Sequence, residues 1–305
     1  MLSHNAEGEN NKNLISENFE EICKQINLST EDPRIAAINF KPTSLIDSRI
    51  LLLASEKSLL NSKDEMLFCE FKERFDTLCQ MCSKRELPII VEAEESWIMP
   101  AVEDLTDAMM EKYNGSKAIV HQCFQMYRIG MEEKLYSSHR KSLSKDYILG
   151  VKIVRGAYSQ QEISRANKLG KKSPIFETLD ETNHAFNNAV KFCISNIDSI
   201  SFYCGTHNED SIIYMTSLME SLNMSKNDNR IHFSQLYGMS DNITFNLANA
   251  GYNVLKYIPY GSLYDALPYL LRRSHENSSA SIRNNRELGY IRKELKRRKI
   301  EKEKK

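Results

Sequence analysis

The sequence predicts an α/β fold, a distorted (β/α)8 TIM-like barrel, and three observations predict it. Short β-rich runs alternate with longer stretches of helical periodicity, the pattern of successive strand–helix units over a parallel sheet. Nothing rich in Pro, Gly or Ser divides the chain into halves, so one domain is expected. The doubly wound alternative wants a Gly-rich phosphate turn, and no GxGxxG occurs in the 305 residues.

The β-rich runs are "AAINFK" (36–41), "LPIIVEAE" (87–94), "AIVHQCFQ" (118–125), "ILGVKIV" (148–154), "SISFYCGTH" (199–207), "IHFSQLYG" (231–238) and "YNVLKYIPYG" (252–261). Helical spacing marks 63–84, 95–113 and 180–196 between them. Seven units are one short of a closed barrel. One strand is unaccounted for, and helix-like "ISENFEEICKQIN" (15–27) covers the region before the first β-rich run. The expected organisation is a polar, helical segment over 1–32, a barrel domain over 33–285 and a basic, solvated helical tail over 286–305. A barrel lacking a strand has two raw edges, so poor solubility is expected.

Composition narrows the class. The chain is 41% apolar and 27% charged, ordinary for a globular protein. Its formal net charge is zero, which gives no bias toward nucleic acid. No apolar run is long enough for a membrane-spanning helix. The opening "MLSHNAEGENNKN" is neither a secretory signal nor an Arg-rich transit peptide. Seven scattered cysteines suit a reducing compartment. Cys79 and Cys82 form a CxxC without a second pair or histidines at zinc spacing, so no metal site is expected.

In an eight-fold barrel the chemistry sits at the C-terminal strand ends. Several runs end in polar groups where a packed core would want Val or Leu: Lys41, Glu92, Gln125, Lys152, His207 and Tyr257. Further on, "LPYLLRRSHEN" (267–277) runs an apolar helical turn into Arg272 and Arg273, with Glu276 one turn later. Taken alone, that stretch reads as a solvated face with an internal ion pair.

Taken together, "VKIVRGAY", "GTHN", "QLYGM", "KYIPYG" and "YLLRRSHEN", in this order at successive strand ends, carry a resemblance. From about Pro33 to Ser279 the chain resembles the proline dehydrogenase (proline oxidase) family, of the monofunctional eukaryotic mitochondrial type. The resemblance implies a flavoprotein oxidoreductase that uses FAD to oxidise L-proline to Δ1-pyrroline-5-carboxylate, the first step of proline catabolism to glutamate. It further implies electron transfer to ubiquinone or another quinone, a mitochondrial location and peripheral association with the inner membrane.

The same resemblance implies roles for individual residues. Arg272 and Arg273, on a last helix across the barrel mouth, would clamp the proline carboxylate with Lys41, since guanidinium forks match a planar carboxylate. Tyr257 would line the pocket beside the ring and disfavour a hydroxylated one. Gln125 and Lys152 would meet the flavin ring, and Val154, Arg155, Gly156, Ala157 and Tyr158 would form the loop against it. Thr206, His207 and Asn208 would serve the phosphate and adenosine side, Thr182 the adenine end, and Leu236 would pack under the flavin. Glu276 would contact the cofactor. Glu92 is a supporting carboxylate, one methylene longer than the family's aspartate. The family's first strand, which should precede Lys41, matches no segment here, so the first strand reads as missing and the chain as an N-terminally truncated product or one begun at an internal Met. The loop glutamate after that strand, which pairs with the first clamp arginine, is expected to be lost with it, and FAD binding to be weak. No residue is marked as the base for the amine proton. Two alternatives stand beside this reading: a dehydrogenase of hydroxyproline or a related imino acid, which Tyr257 argues against, and a truncated, non-catalytic barrel fragment.

Overall fold

The structure is a computed structural model that describes residues 1–4, 6–261, 267, 271, 289 and 291–300. Eight parallel strands close into a barrel: β1 (Leu2–His4), β2 (Ile38–Phe40), β3 (Ile89–Val91), β4 (Val120–Gln125), β5 (Leu149–Val154), β6 (Ile200–Gly205), β7 (Ile231–Leu236) and β8 (Val254–Tyr260). Each pairs with its neighbour in chain order, and β1 pairs with β8 to complete the ring. The helices that alternate with them are α1 (Lys12–Leu28), α2 (Ser48–Ser55), α3 (Ser62–Ser83), α4 (Met99–Tyr113), α5 (Met131–Ser144), α6 (Ser159–Lys168), α7 (Leu179–Ser195), α8 (Glu209–Ser221) and α9 (Asp241–Asn249).

The expected missing first strand is overturned. Leu2 pairs with Ile38 on one side and Ile258 on the other, so there are eight strands and no raw edge between β8 and β2. The segment 1–32, expected to lie outside the barrel, supplies β1 and α1. The sequence concealed this strand because "LSH" is too short to alternate and lacks β-branched residues. The prediction of poor solubility rested on the open edge and falls with it.

Side chains pointing outward from the strands build the main core against the helices. Ile38, Phe40, Ile89, Phe124, Val151, Ile153, Phe202 and Phe233 are all essentially inaccessible to water. Phe40 meets Phe75 of α3 edge-on, ring centroids 5.1 Å apart. Burying such a ring contributes about 1.5–3 kcal/mol, and its edge-to-face contact adds a little more. Gly150 permits close approach of β5 to β4: a Cβ there would lie 2.0 Å from the Val120 carbonyl oxygen. Asn114, wholly buried after α4, stitches the same two strands. Its amide donates to the Val120 and Ile148 carbonyls at 2.8 and 3.0 Å, and its oxygen accepts from the Ile119 and Val120 amides.

Inside the barrel, His121 of β4, Tyr203 of β6 and His232 of β7 meet across the axis. Tyr203 stacks on His232 at 4.7 Å and takes the His121 ring edge-on at 5.0 Å. Burial holds both imidazoles neutral, His121 at about 3 and His232 at about 4. Residues beyond Tyr260 form a second compact unit. In it, residues 291–300 are helical, and Glu294 pairs with Arg297 and Arg298.

Candidate active site at the barrel mouth

The C-terminal strand ends gather ionised side chains that a packed barrel would exclude. Lys41 follows β2 directly and is almost fully buried; its ammonium pairs with the carboxylate of Glu7, from the loop after β1. Glu92, just past β3, accepts from the Asn39 amide at 2.8 Å and from the ammonium of Lys152 on β5. Lys152 also lies over the Tyr257 ring, 5.2 Å from its centroid. The Tyr257 hydroxyl shares a 2.7 Å hydrogen bond with the Ser3 hydroxyl of β1. Two buried ion pairs therefore stand at the mouth, each with further partners that offset its desolvation cost.

Strand alternation explains this placement. Asn39 and Lys41 share one face of β2, and Gly150, Lys152 and Val154 share one face of β5, opposite the apolar residues that meet the helices. At the end of β4, Gln125 donates to the Glu94 carbonyl at 2.8 Å and accepts from the Ala157 amide at 3.2 Å, tying three strand ends together. Gly156 has φ +138, a left-handed backbone, and a Cβ there would strike the Tyr127 ring at 2.4 Å.

A second cluster lies around the ends of β5, β6 and β7. The Arg155 guanidinium donates to Asn183, Thr206 and Ser211 at 2.8, 2.6 and 2.9 Å and lies 4.2 Å over the Phe186 ring. Asn208 caps α8, accepting from the Ser211 amide. His207 shares a bond through Nδ1 with Ser240 and accepts from the Leu236 amide through Nε2, which assigns the proton to Nδ1. Thr182 is buried on α7, behind a capping box formed by Thr178 and Glu181. Val154 closes β5, and Tyr158 is buried at the entrance to α6.

Direct contacts thus join Lys152, Glu92 and Tyr257 into one group, while Arg155 and Thr206 anchor the other. Arg272, Arg273 and Glu276 lie outside the described residues. Sequence reading missed Ser3, Glu7 and Asn39, and gave Glu94 no role. Glu7 follows β1, so the loop expected to be lost is present and carries a carboxylate. A glutamate in "HNAEGEN" was the one available signal; the others act through contacts far apart in the chain. Cys79 and Cys82 are buried within α3, and burial pushes the Cys82 thiol up to about 12. No cluster of potential metal ligands occurs among the described residues. Among those residues, no helix is long and apolar enough to cross a membrane.

A family profile described as proline dehydrogenase matches residues 1–286. Proline dehydrogenase 1, mitochondrial, of Dictyostelium discoideum is 36% identical over 261 residues, which cover 83% of this chain and 46% of that protein. The Homo sapiens protein of the same name is 32% identical over 272 residues, 84% of this chain and 45% of the relative. The carbapenem antibiotics biosynthesis protein CarD of Pectobacterium carotovorum is 32% identical over 298 residues, 98% of this chain and 77% of its own. The chain spans about half the length of the mitochondrial relatives from Dictyostelium discoideum and Homo sapiens. Proline utilization A from Bdellovibrio bacteriovorus shares the fold with a TM-score of 0.80 at 19% identity, over 92% of this chain and 30% of that one. With a profile match along nearly its whole length and relatives above 30% identity, this chain belongs to the proline dehydrogenase family.

Proposed function

We propose that this chain oxidises L-proline to Δ1-pyrroline-5-carboxylate with FAD and passes the electrons to a quinone. The observation that carries the reading is the constellation of Lys41, Glu92, Lys152 and Tyr257 at the mouth of a proline dehydrogenase-family barrel. The residues present fit a flavin dinucleotide. Gly156 offers bare backbone beside Gln125 and Ala157, and Lys152 and Arg155 bring positive charge to the strand ends. Gln125, Lys152 and the Val154–Tyr158 loop would hold the ring. Thr206, His207 and Asn208 would serve the phosphate and adenosine side, with Thr182 at the adenine end and Leu236 beneath the ring, and Glu276 would contact the cofactor. When bound, the flavin supplies the acceptor for the hydride leaving the ring carbon next to nitrogen.

The chain's own work is placement. Lys41, with Arg272 and Arg273, holds the substrate carboxylate, so that the reacting carbon has one orientation. Tyr257, fixed by Ser3 and Lys152, walls the pocket beside the proline ring. Its bulk selects proline over 4-hydroxyproline, a steric discrimination of about 1–3 kcal/mol. A mitochondrial location accords with the names of the relatives, and peripheral contact with the inner membrane is proposed along with it.

The test is anaerobic mixing of the purified, FAD-loaded chain with L-proline. Loss of the yellow flavin absorbance, faster with proline than with 4-hydroxyproline, is the expected result. Protein that takes up no flavin, or whose flavin stays oxidised in proline, overturns the reading.

A further inference from the structure

We propose that Glu94, acting through Thr43, is a positioning residue that fixes the Glu7 loop over Lys41 and so sets the geometry of the substrate-carboxylate site. This rests on the function proposed above. Lys41 ends β2, and the tight turn Pro42–Ser44 begins at the next residue. Glu94, fully buried beyond β3, grips that turn at both available donors: the Thr43 amide at 2.9 Å and the Thr43 hydroxyl at 2.5 Å. Thr43 passes the restraint on. Its hydroxyl oxygen accepts the Gly8 amide at 2.8 Å, and its carbonyl accepts the Glu9 amide at 3.0 Å.

Glu7 is thereby held from both sides. Buried Ala6 precedes it, and the two amides that follow it are tied to Thr43. Gly8 has φ +66, which turns the chain at that point and disfavours any side chain. The Glu94 carbonyl is itself held by Gln125. One residue, through its side chain and its backbone carbonyl, therefore joins the β1 loop, the turn after Lys41, the end of β3 and the end of β4.

A purely structural role explains this poorly. Among the described residues Glu94 forms no salt bridge, and a buried acid held by a hydroxyl and an amide is a costly way to fill space. Burial pushes its carboxyl up to about 8, the largest cause, aided by nearby Glu95 and opposed by Thr43 and Lys41. What the acid does provide is direction. The Thr43 hydroxyl donates to Glu94, which leaves its oxygen lone pair facing the Gly8 amide.

The experiment compares Thr43→Val, which removes the hydroxyl at nearly constant volume, with Thr43→Ser, which keeps it. In the flavin-loaded enzyme, Thr43→Val is expected to raise KM for L-proline roughly fivefold to tenfold with kcat and flavin content little changed, the scale of losing one buried hydrogen-bonded link. Thr43→Ser should stay near wild type. Amide hydrogen exchange reads the brace without reference to activity. The Gly8 and Glu9 amides should be protected in wild type, and the Gly8 amide should exchange at least about tenfold faster in Thr43→Val, with β4–β6 unchanged. A wild-type KM in Thr43→Val, an equal loss in both variants, or an unprotected Gly8 amide in the wild-type chain overturns the proposal. If wild type is not reduced by proline, the proposed activity has failed, and Gly8 exchange alone decides the brace. Should Thr43→Val not fold, wild-type exchange and the Thr43→Ser kinetics decide it.

Discussion

His121 and His232, stacked against Tyr203 inside the barrel, make stability depend on pH in a window where few other groups change. An exposed histidine in the unfolded chain titrates near 6.5; in the barrel His121 is held at about 3 and His232 at about 4. The folded-state value is below the unfolded one, so below pH 6.5 the unfolded chain binds more protons. The contribution is complete above pH 6.5 and shrinks as pH falls toward 4. Between pH 7 and 5 linkage gives a loss of roughly 1–2 kcal/mol for His232, discounted for its partial exposure, and about 2 kcal/mol for deeper His121. Glu94 acts in the opposite sense. Its folded value is raised to about 8, so its contribution is complete below about 4.5 and fades as pH rises through 8. Net stability against pH therefore mixes both signs, and a variant isolates one of them. His232→Phe keeps a flat ring on Tyr203 and removes the titration. Urea unfolding of both proteins at pH 7, 6 and 5 is the assay. The variant's stability relative to wild type should rise by roughly 1–2 kcal/mol between pH 7 and 5. A difference that stays constant across that range would refute the reasoning.

Three further outcomes are expected. Ser3→Ala removes the bond from Ser3 to the Tyr257 hydroxyl; it should lower the kcat/KM preference for proline over 4-hydroxyproline by a few-fold, with a cost of about 1 kcal/mol in unfolding, and an unchanged ratio would show that the bond does not hold the ring wall. Tyr257→Ser opens the pocket itself and should shift the same ratio further, by about 1–3 kcal/mol, as read by competing steady-state assays. Asn114→Ala breaks four hydrogen bonds and leaves buried backbone groups unpaired; thermal unfolding should show a loss of about 2–4 kcal/mol with proline kinetics unaffected at low temperature.

Strands buried on both faces were the easiest to read. "ILGVKIV" and "SISFYCG" are near-continuous apolar or β-prone runs, and their observed limits, Leu149–Val154 and Ile200–Gly205, fall within two residues of expectation. The polar residues that end such runs were legible for the same reason: Lys152 is out of place in a core unless a partner awaits it. Glu92 proved to be that partner. Contacts that join distant segments left no local trace. Ser3 and Tyr257 lie 254 residues apart, and Thr43 and Glu94 lie 51 apart, so no periodicity announces either pair. β1 failed for a further reason: three residues can hold a register between two neighbours while saying nothing of it by pattern.

That short strand gives the molecule an order of assembly. Neighbouring strands β2 to β8 can pair across modest loops, but the β1–β8 seam joins residues separated by nearly the whole barrel sequence. Such a contact has the largest chain entropy to overcome and gains the least from local preference. The seam is expected to close late in folding, with the other seven strands as its template. Ser3 and Glu7 travel with it, so the wall beside Tyr257 and the partner of Lys41 reach their places only in that last step. Refolding chains would then regain barrel secondary structure before they regain a competent mouth. The lag between the two signals would measure how long three residues take to find their groove.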